Sequence, residues 1–356
     1  DPVKPNKNLL KINIFNKIVL VTGAGGSIGS ELCRQILCLK PEKLILYEIS
    51  ESALYLIEQE LQNLNELNIE VFPVIGSITD KKRVEGICKN YGVQTIYHAA
   101  AYKHVPLVEH NQSQGILNNT IGTLMAAEAA IASSVETFVL ISTDKAVRPT
   151  NIMGASKRAA ELTLQALAEL PHKTCFTIVR FGNVLDSSGS VIPLFKKQIK
   201  NGGPITVTHA DIVRYFMTIP EAVELVLQAG AMAKGGEVFV LDMGEPIRIY
   251  DLAVKMIQLS GLSVLDNDNP NGDIEIEYTG LRPGEKLYEE LLVGTEFNLT
   301  ENKLIICAKE EMISWDKLEP MLNEIKVVSE NSENEKIYKL LKILVPGFIK
   351  NNLSAK

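Results

Sequence analysis

Residues Val19–Gly29 read Val-Leu-Val-Thr-Gly-Ala-Gly-Gly-Ser-Ile-Gly, an apolar strand running into a glycine-rich turn and on into a helix. Glycines at 23, 26 and 29 give G-x-x-G-x-x-G, with Gly25 as an extra and Ile28 where the commoner G-x-G-x-x-G would need glycine. A turn of this kind lets backbone approach a pyrophosphate with no Cβ in the way, while the helix that follows offers N–H groups and the positive end of its dipole. Gly29 then allows the helix to lie close on the strand. A dinucleotide site also needs a carboxylate at the end of the second strand, about 20 residues on, to take the ribose hydroxyls. Glu48 stands there, 19 residues beyond Gly29. A carboxylate in that place repels a 2′-phosphate, so NAD is expected rather than NADP.

The pattern around this motif is an alternation. Apolar runs at Ile18–Val21, Leu44–Tyr47, Val71–Ile75, Thr95–His98, Phe138–Ser142 and Thr177–Arg180 are separated by helical segments at Ser30–Leu39, Ser52–Leu64, Lys81–Asn90, Gly122–Ser133 and Ala155–Leu170. Strands that read as continuous apolar runs are covered on both faces, which predicts a parallel, helix-sandwiched sheet: a Rossmann-type doubly wound α/β fold. Beyond about residue 185 the alternation loosens, with one more strand at Glu237–Leu241 and helices at Glu221–Met232 and Ile249–Leu259. A smaller, interleaved α/β substrate domain is expected there. The boundaries read as 15–185 with 211–244 for the Rossmann domain, 186–210 with 245–310 for the smaller one, 1–14 for a linker, and 311–356 for a helical tail. Asp266–Asp273 reads as a polar loop and Val328–Glu335 as an exposed linker before a final helix.

Composition narrows the function. The chain has 356 residues, 36 Lys+Arg against 43 Asp+Glu, and a net charge of −7. That balance argues against a general nucleic-acid binder, which needs clustered cations. Five cysteines lack any C-x-x-C or zinc-finger spacing, so reduced thiols, a cytoplasmic setting and no metal are expected. No apolar run approaches the ~18 residues of a membrane span. The opening Asp1-Pro2-Val3-Lys4-Pro5-Asn6 reads as a linker entering a domain.

Further stretches carry a resemblance: His98–Glu109 (HAAAYKHVPLVE), Ile141–Ala146 (ISTDKA), Met153–Lys157 (MGASK), Arg180–Leu185 (RFGNVL), Ser188–Phe195 (SGSVIPLF), Arg214–Ile219 (RYFMTI) and Leu281–Leu292 (LRPGEKLYEELL). With the glycine turn they resemble, in matching order from about Phe15 to Leu292, the nucleotide-sugar 4,6-dehydratases of the extended short-chain dehydrogenase/reductase superfamily. The likeness is greatest to the membrane-anchored subgroup acting on UDP-N-acetylglucosamine in bacterial polysaccharide and glycan biosynthesis. It implies a hydro-lyase that uses NAD and a UDP-sugar, a homodimer or larger assembly, and an inner-membrane anchor in an N-terminal region outside this chain.

Such an enzyme oxidises carbon 4, removes the carbon-5 proton, expels water across carbons 5 and 6, and returns the hydride to carbon 6. It therefore needs an acceptor for the 4-hydroxyl proton, a base for carbon 5 and an acid for the 6-hydroxyl. The resemblance implies that Thr143 hydrogen-bonds the 4-hydroxyl, Asp144 protonates the leaving hydroxyl, and Lys145 is the base. To be neutral near pH 7, Lys145 must come down by about 3 pH units from ~10.4, or ~4 kcal/mol, with burial, Lys157 and the nicotinamide as the expected causes. The superfamily's Tyr-x-x-x-Lys pair is here Met153 and Lys157. Methionine carries no proton, so Asp144 is expected to accept the 4-hydroxyl proton as well, with Lys157 on the nicotinamide ribose.

On the cofactor the resemblance further places Ser27, Ile28, Ser77, Ile78, Ala99, Ala100 and Ala101 beside Gly23, Gly26, Gly29 and Glu48. On the sugar nucleotide it places Lys103, His104, Asn183, Arg214, Arg282, Glu285 and Lys286, the cations suiting a diphosphate. Two other readings remain open: a nucleotide-sugar 4-epimerase, which normally relies on the missing tyrosine, and a catalytically silent NAD- or nucleotide-sugar-binding protein.

Overall fold

The apolar runs become parallel strands in the computed structural model, which describes residues 6–292 and 296–349. They are β1 (Ile18–Thr22), β2 (Lys43–Glu48), β3 (Glu70–Ile75), β4 (Thr95–His98), β5 (Thr137–Thr143) and β6 (Cys175–Phe181), followed by β7 (Val238–Leu241). Two further strands, β8 (Phe297–Leu299) and β9 (Ile305–Ala308), close one edge antiparallel. The order across the sheet is β8-β9-β7-β6-β5-β4-β1-β2-β3. β1 pairs with β2 on one side and β4 on the other, Val19 facing Leu44 and Thr95. The chain thus reverses its winding direction beside β1, and connections leave the carboxyl ends of β1 and β4 in opposite directions. That opens a crevice where ligands of doubly wound folds sit.

Alternation along each strand sends residues to two cores. Leu20, Ile45, Ile96 and Phe138 pack in one cluster, and Val19, Val21, Leu44, Tyr97 and Val139 in the other. Helix starts are set by local caps: the Ser50 hydroxyl accepts from Ala53 N, the Asp80 carboxylate from Arg83 N, and the Asn151 side chain from Gly154 N. The helix Ser27–Cys38 differs, since its N-cap is Gly26 and no side chain caps it. Its first N–H groups stay available at the crevice.

A third apolar cluster, with Phe195, Ile205, Val207, Ile212, Ile249, Ala253, Ile257 and Ile274, forms the core of the smaller unit. β8 and β9 lie within 245–310, the stretch expected in that unit, yet they extend the large sheet instead. Two other expectations change. Residues 7–12 of the expected linker form a helix, with Leu9 and Ile14 buried and the Asn13 amide donating to Gly230 O at 2.9 Å. Val328 and Ser329 are buried at the end of a helix, Trp315–Glu330, and only residues 331–333 separate it from the last helix, Asn334–Leu344. Residues 1–5 of the expected linker and 350–356 of the expected tail lie outside the described residues.

The tail helices present Leu318, Leu322, Ile325, Ile337, Leu341 and Leu344 to the helix Ile152–Ala168 and its neighbours, within the core of that sheet face. As a result every residue from Ile152 to Leu167 is buried. Among the described residues no helix is long and apolar enough to cross a membrane.

Candidate active site

The crevice at the end of β1 is a cleft of about 260 Å³ lined by Gly23, Gly25, Gly26, Glu48, Gly76, Ile78 and Ala99–Ala101, with Tyr47, Tyr102 and Asn118 among its other walls. Each turn glycine has its own reason. Gly23 has φ +66° and a Cβ there would stand 2.7 Å from Ala100 N, whereas one at Gly25 would strike Ala53 Cβ and one at Gly29 would lie 1.9 Å from Gly23 O. Glu48 is buried and accepts from Gly25 N, Ile49 N and Ser50 N, all at 3.0 Å, so its carboxylate organises the turn as well as facing the cleft. A backbone cradle that side chains would fill, with uncapped helix N–H groups and a carboxylate beside it, fits an adenine dinucleotide. Ser77 does not line the cleft: its hydroxyl bonds Thr79 Oγ1 at 2.7 Å and its carbonyl accepts from the Tyr47 hydroxyl. The Ser27 hydroxyl accepts from Ser188 N at 3.1 Å, and Ile28 packs into the apolar core.

Thr143, Asp144 and Lys145 follow β5 at the same end of the sheet. Asp144 is fully buried, and its Oδ1 accepts from the Thr143 hydroxyl at 2.8 Å and from Lys145 Nζ at 3.0 Å. Its Oδ2 is buried with no hydrogen-bond partner among the described residues. Lys145 also donates to Asn183 Oδ1 at 3.3 Å, which commits that side chain to the lysine. The expected depression of Lys145 is corrected. Burial does pull its pKa down, but the nearby carboxylates of Asp144 and Glu289 outweigh it and hold the ammonium above its ordinary range. It is Lys157 that is lowered, to about 8, because it is buried and Glu161 offsets the burial only partly. Lys157 Nζ donates to Ile141 O at 2.7 Å, and Met153 is buried one turn before it among apolar side chains.

Lys103 lies near enough to Lys145 that, after burial, the like charge pushes it below the usual lysine range. Burial and then Lys103 lower His104, which packs against Gly189. Arg214 spends its guanidinium on the chain itself, donating to the carbonyls of Val213, Lys286 and Leu287 and facing Glu285 at 3.5 Å. Lys286 donates to Val147 O at 3.0 Å. Buried cations need such acceptors. Arg282 and Lys103 are the exposed cations of the group, and the Arg282 backbone N–H donates to Glu285.

Two features escaped sequence reading. Gly76 is pressed against the Tyr47 ring, and a glycine directly after a strand was a usable signal. Glu289, buried near Lys145, lies inside Leu281–Leu292, the stretch that carries the resemblance, but among Glu285, Glu289 and Glu290 nothing in the sequence marks it as the buried one. Among the described residues no group of His, Cys, Asp and Glu is placed to hold a metal. His98 is buried between the Thr22 and Thr123 hydroxyls at 2.7 and 3.0 Å.

Residues 19–310 match the family model described as polysaccharide biosynthesis protein. Over 298 residues the chain is 54% identical to the capsular polysaccharide biosynthesis protein CapD of Staphylococcus aureus, covering 84% of this chain and 49% of that one. It is 52% identical over 295 residues to the probable polysaccharide biosynthesis protein EpsC of Bacillus subtilis, covering 83% and 48%. The chain thus spans about half the length of these curated relatives. Among solved structures, Pen from Bacillus thuringiensis is similar with a TM-score of 0.74 at 33% identity, over 88% of this chain and 98% of that one.

Proposed function

From a chain that belongs to the polysaccharide biosynthesis protein family, we propose a nucleotide-sugar-modifying enzyme that catalyses the NAD-dependent 4,6-dehydration of UDP-N-acetylglucosamine to a UDP-4-keto-6-deoxy sugar. The observation that carries the reading is Asp144, just past the carboxyl end of β5: one carboxylate oxygen is shared by Thr143 and Lys145, and the other is buried with no partner among the described residues. NAD, when bound, supplies the hydride acceptor and donor. Thr143 orients the sugar's 4-hydroxyl and passes its proton to Asp144. Asp144, now a carboxylic acid, gives that proton to the departing 6-hydroxyl. Lys145, once neutral, takes the carbon-5 proton. One carboxyl serving two steps accounts for Met153, which has no proton to offer at the tyrosine position. The exposed Arg282 and Lys103 are left for the diphosphate.

The test is incubation of the chain with NAD and UDP-N-acetylglucosamine in heavy water. The expected product is lighter by one water and carries deuterium at carbon 5. A product of equal mass would mean a 4-epimerase, and no product a binding protein. Asp144→Asn should abolish both oxidation and elimination, whereas oxidation surviving in that variant overturns the shared-proton scheme.

A further inference from the structure

The proton count at this site leaves a gap that Asp144 and Lys145 cannot fill. When oxidation ends, the proton from the 4-hydroxyl sits on Asp144, and Lys145 still carries its own. Before the carbon-5 step the ammonium must lose a proton, and Asp144 is no longer free to take it. Other carboxylates nearby are committed: Glu48 to three backbone amides, Glu161 to Arg180 and Arg158, and Glu285 to Arg282 N and Thr208. Glu289 is different. It is 8% exposed, its Oε2 is buried with no hydrogen-bond partner among the described residues, and Arg214 stands 3.9 Å from its Oε1. Asp144, Lys145, Arg214 and Lys286 are the charged groups facing it.

Resting on the dehydratase reading, we infer that Glu289 is the proton acceptor for Lys145, taking the ammonium proton before the carbon-5 step and returning it afterwards. Glu289 acts through the lysine and touches no reacting atom of the sugar, so it is a positioning residue. The steps balance. The 4-hydroxyl O–H breaks, its proton goes to Asp144, and the hydride leaves carbon 4 for the nicotinamide. An N–H bond of Lys145 breaks and an O–H bond forms on Glu289, through a water or a turn of the lysine stem, because Lys145 pairs directly with Asp144. The amine takes the carbon-5 proton, the C5=C6 bond forms as C6–O breaks, and Asp144 protonates the leaving oxygen. The hydride then returns to carbon 6, Lys145 returns a proton to carbon 5, and Glu289 recharges Lys145. Burial, and Asp144 beside it, keep the Glu289 carboxyl above the ordinary carboxylate range, which suits a group that must hold a proton near neutrality.

The experiment compares the wild-type chain with Glu289→Gln and Glu289→Asp. In Glu289→Gln, cofactor reduction on mixing with the sugar nucleotide should persist, while carbon-5 exchange and water loss fall roughly 10²-fold near neutrality. They should recover as pH rises and solvent takes the proton instead, and Glu289→Asp should restore part of the rate. A second reading is spectroscopic: Glu289 is ionised at rest and gives no carboxylic-acid carbonyl band, and mixing with NAD and the sugar nucleotide should raise one such infrared band more in the wild type than in Glu289→Gln. The inference is overturned if Glu289→Gln exchanges and dehydrates with the wild-type pH profile, or if reduction and exchange fall by the same factor. Wild-type enzyme that releases no water sinks the dehydratase reading and this inference with it, a result distinct from any difference between variants.

Discussion

His98 closes a chain of three side chains, Thr22, His98 and Thr123, and is sealed from solvent. Burial, and then Lys157, bring its pKa from 6.5 to about 3. The imidazole stays neutral when folded but takes up a proton when unfolded, so its contribution is full above pH 6.5 and is lost as pH falls towards 3. The folded chain should therefore lose roughly 1.4 kcal/mol per pH unit from this group below pH 6.5. Glu161, held down at about 2 by Arg180 and Arg158 despite its burial, adds its own loss only below pH 4.5. Between pH 6.5 and 4.5 the loss in His98→Gln should be visibly shallower than in the wild type, read as denaturant midpoints. The identities of Thr143, Asp144 and Lys145 were legible from sequence. The charge on Lys145 was legible only in part: Asp144 is its neighbour in sequence, but Glu289, the second carboxylate that holds the ammonium, lies 144 positions away.

At the scale of elements, the parallel strands were legible because sheets covered on both faces are written as apolar runs. The edge was not. β8 and β9 are three and four residues long, and nothing local marks Ile-Ile-Cys-Ala as the partner of β7 or Phe-Asn-Leu as the partner of β9. Nor did the charges on the helix Ile152–Ala168 announce themselves, since Arg158 and Glu161 look like a solvated face until their partners arrive. Those partners are Arg180 from β6 and Glu310 just past β9, which form a buried network with Ser142 at the end of β5. The network clamps the sheet edge and the tail to the strands that carry the candidate site. Glu310→Ala leaves two buried guanidinium groups short of a counter-charge and should cost about 3–5 kcal/mol in denaturant unfolding. A cost below about 1 kcal/mol would mean that the edge is held by packing alone.

For the whole molecule, the resemblance implies pairing through helices that flank the sheet, yet the helix Ile152–Ala168 is covered by the chain's own last two helices. Their apolar faces were hard to read because Pro320 and many charged residues interrupt the pattern. Substituting Leu322→Asp together with Leu341→Asp should expel this cover, lower stability, and give concentration-dependent self-association in sedimentation experiments. A double variant that stays at the wild-type mass at all concentrations would show that the uncovered face does not attract a second copy. Tethering has a consequence of its own. A segment joined to its docking face by a short linker competes at an effective concentration on the order of millimolar. Any second copy arriving in solution must outbid a rival that never diffuses away, so self-association across that face is ruled by the leash rather than by the stickiness of the surface.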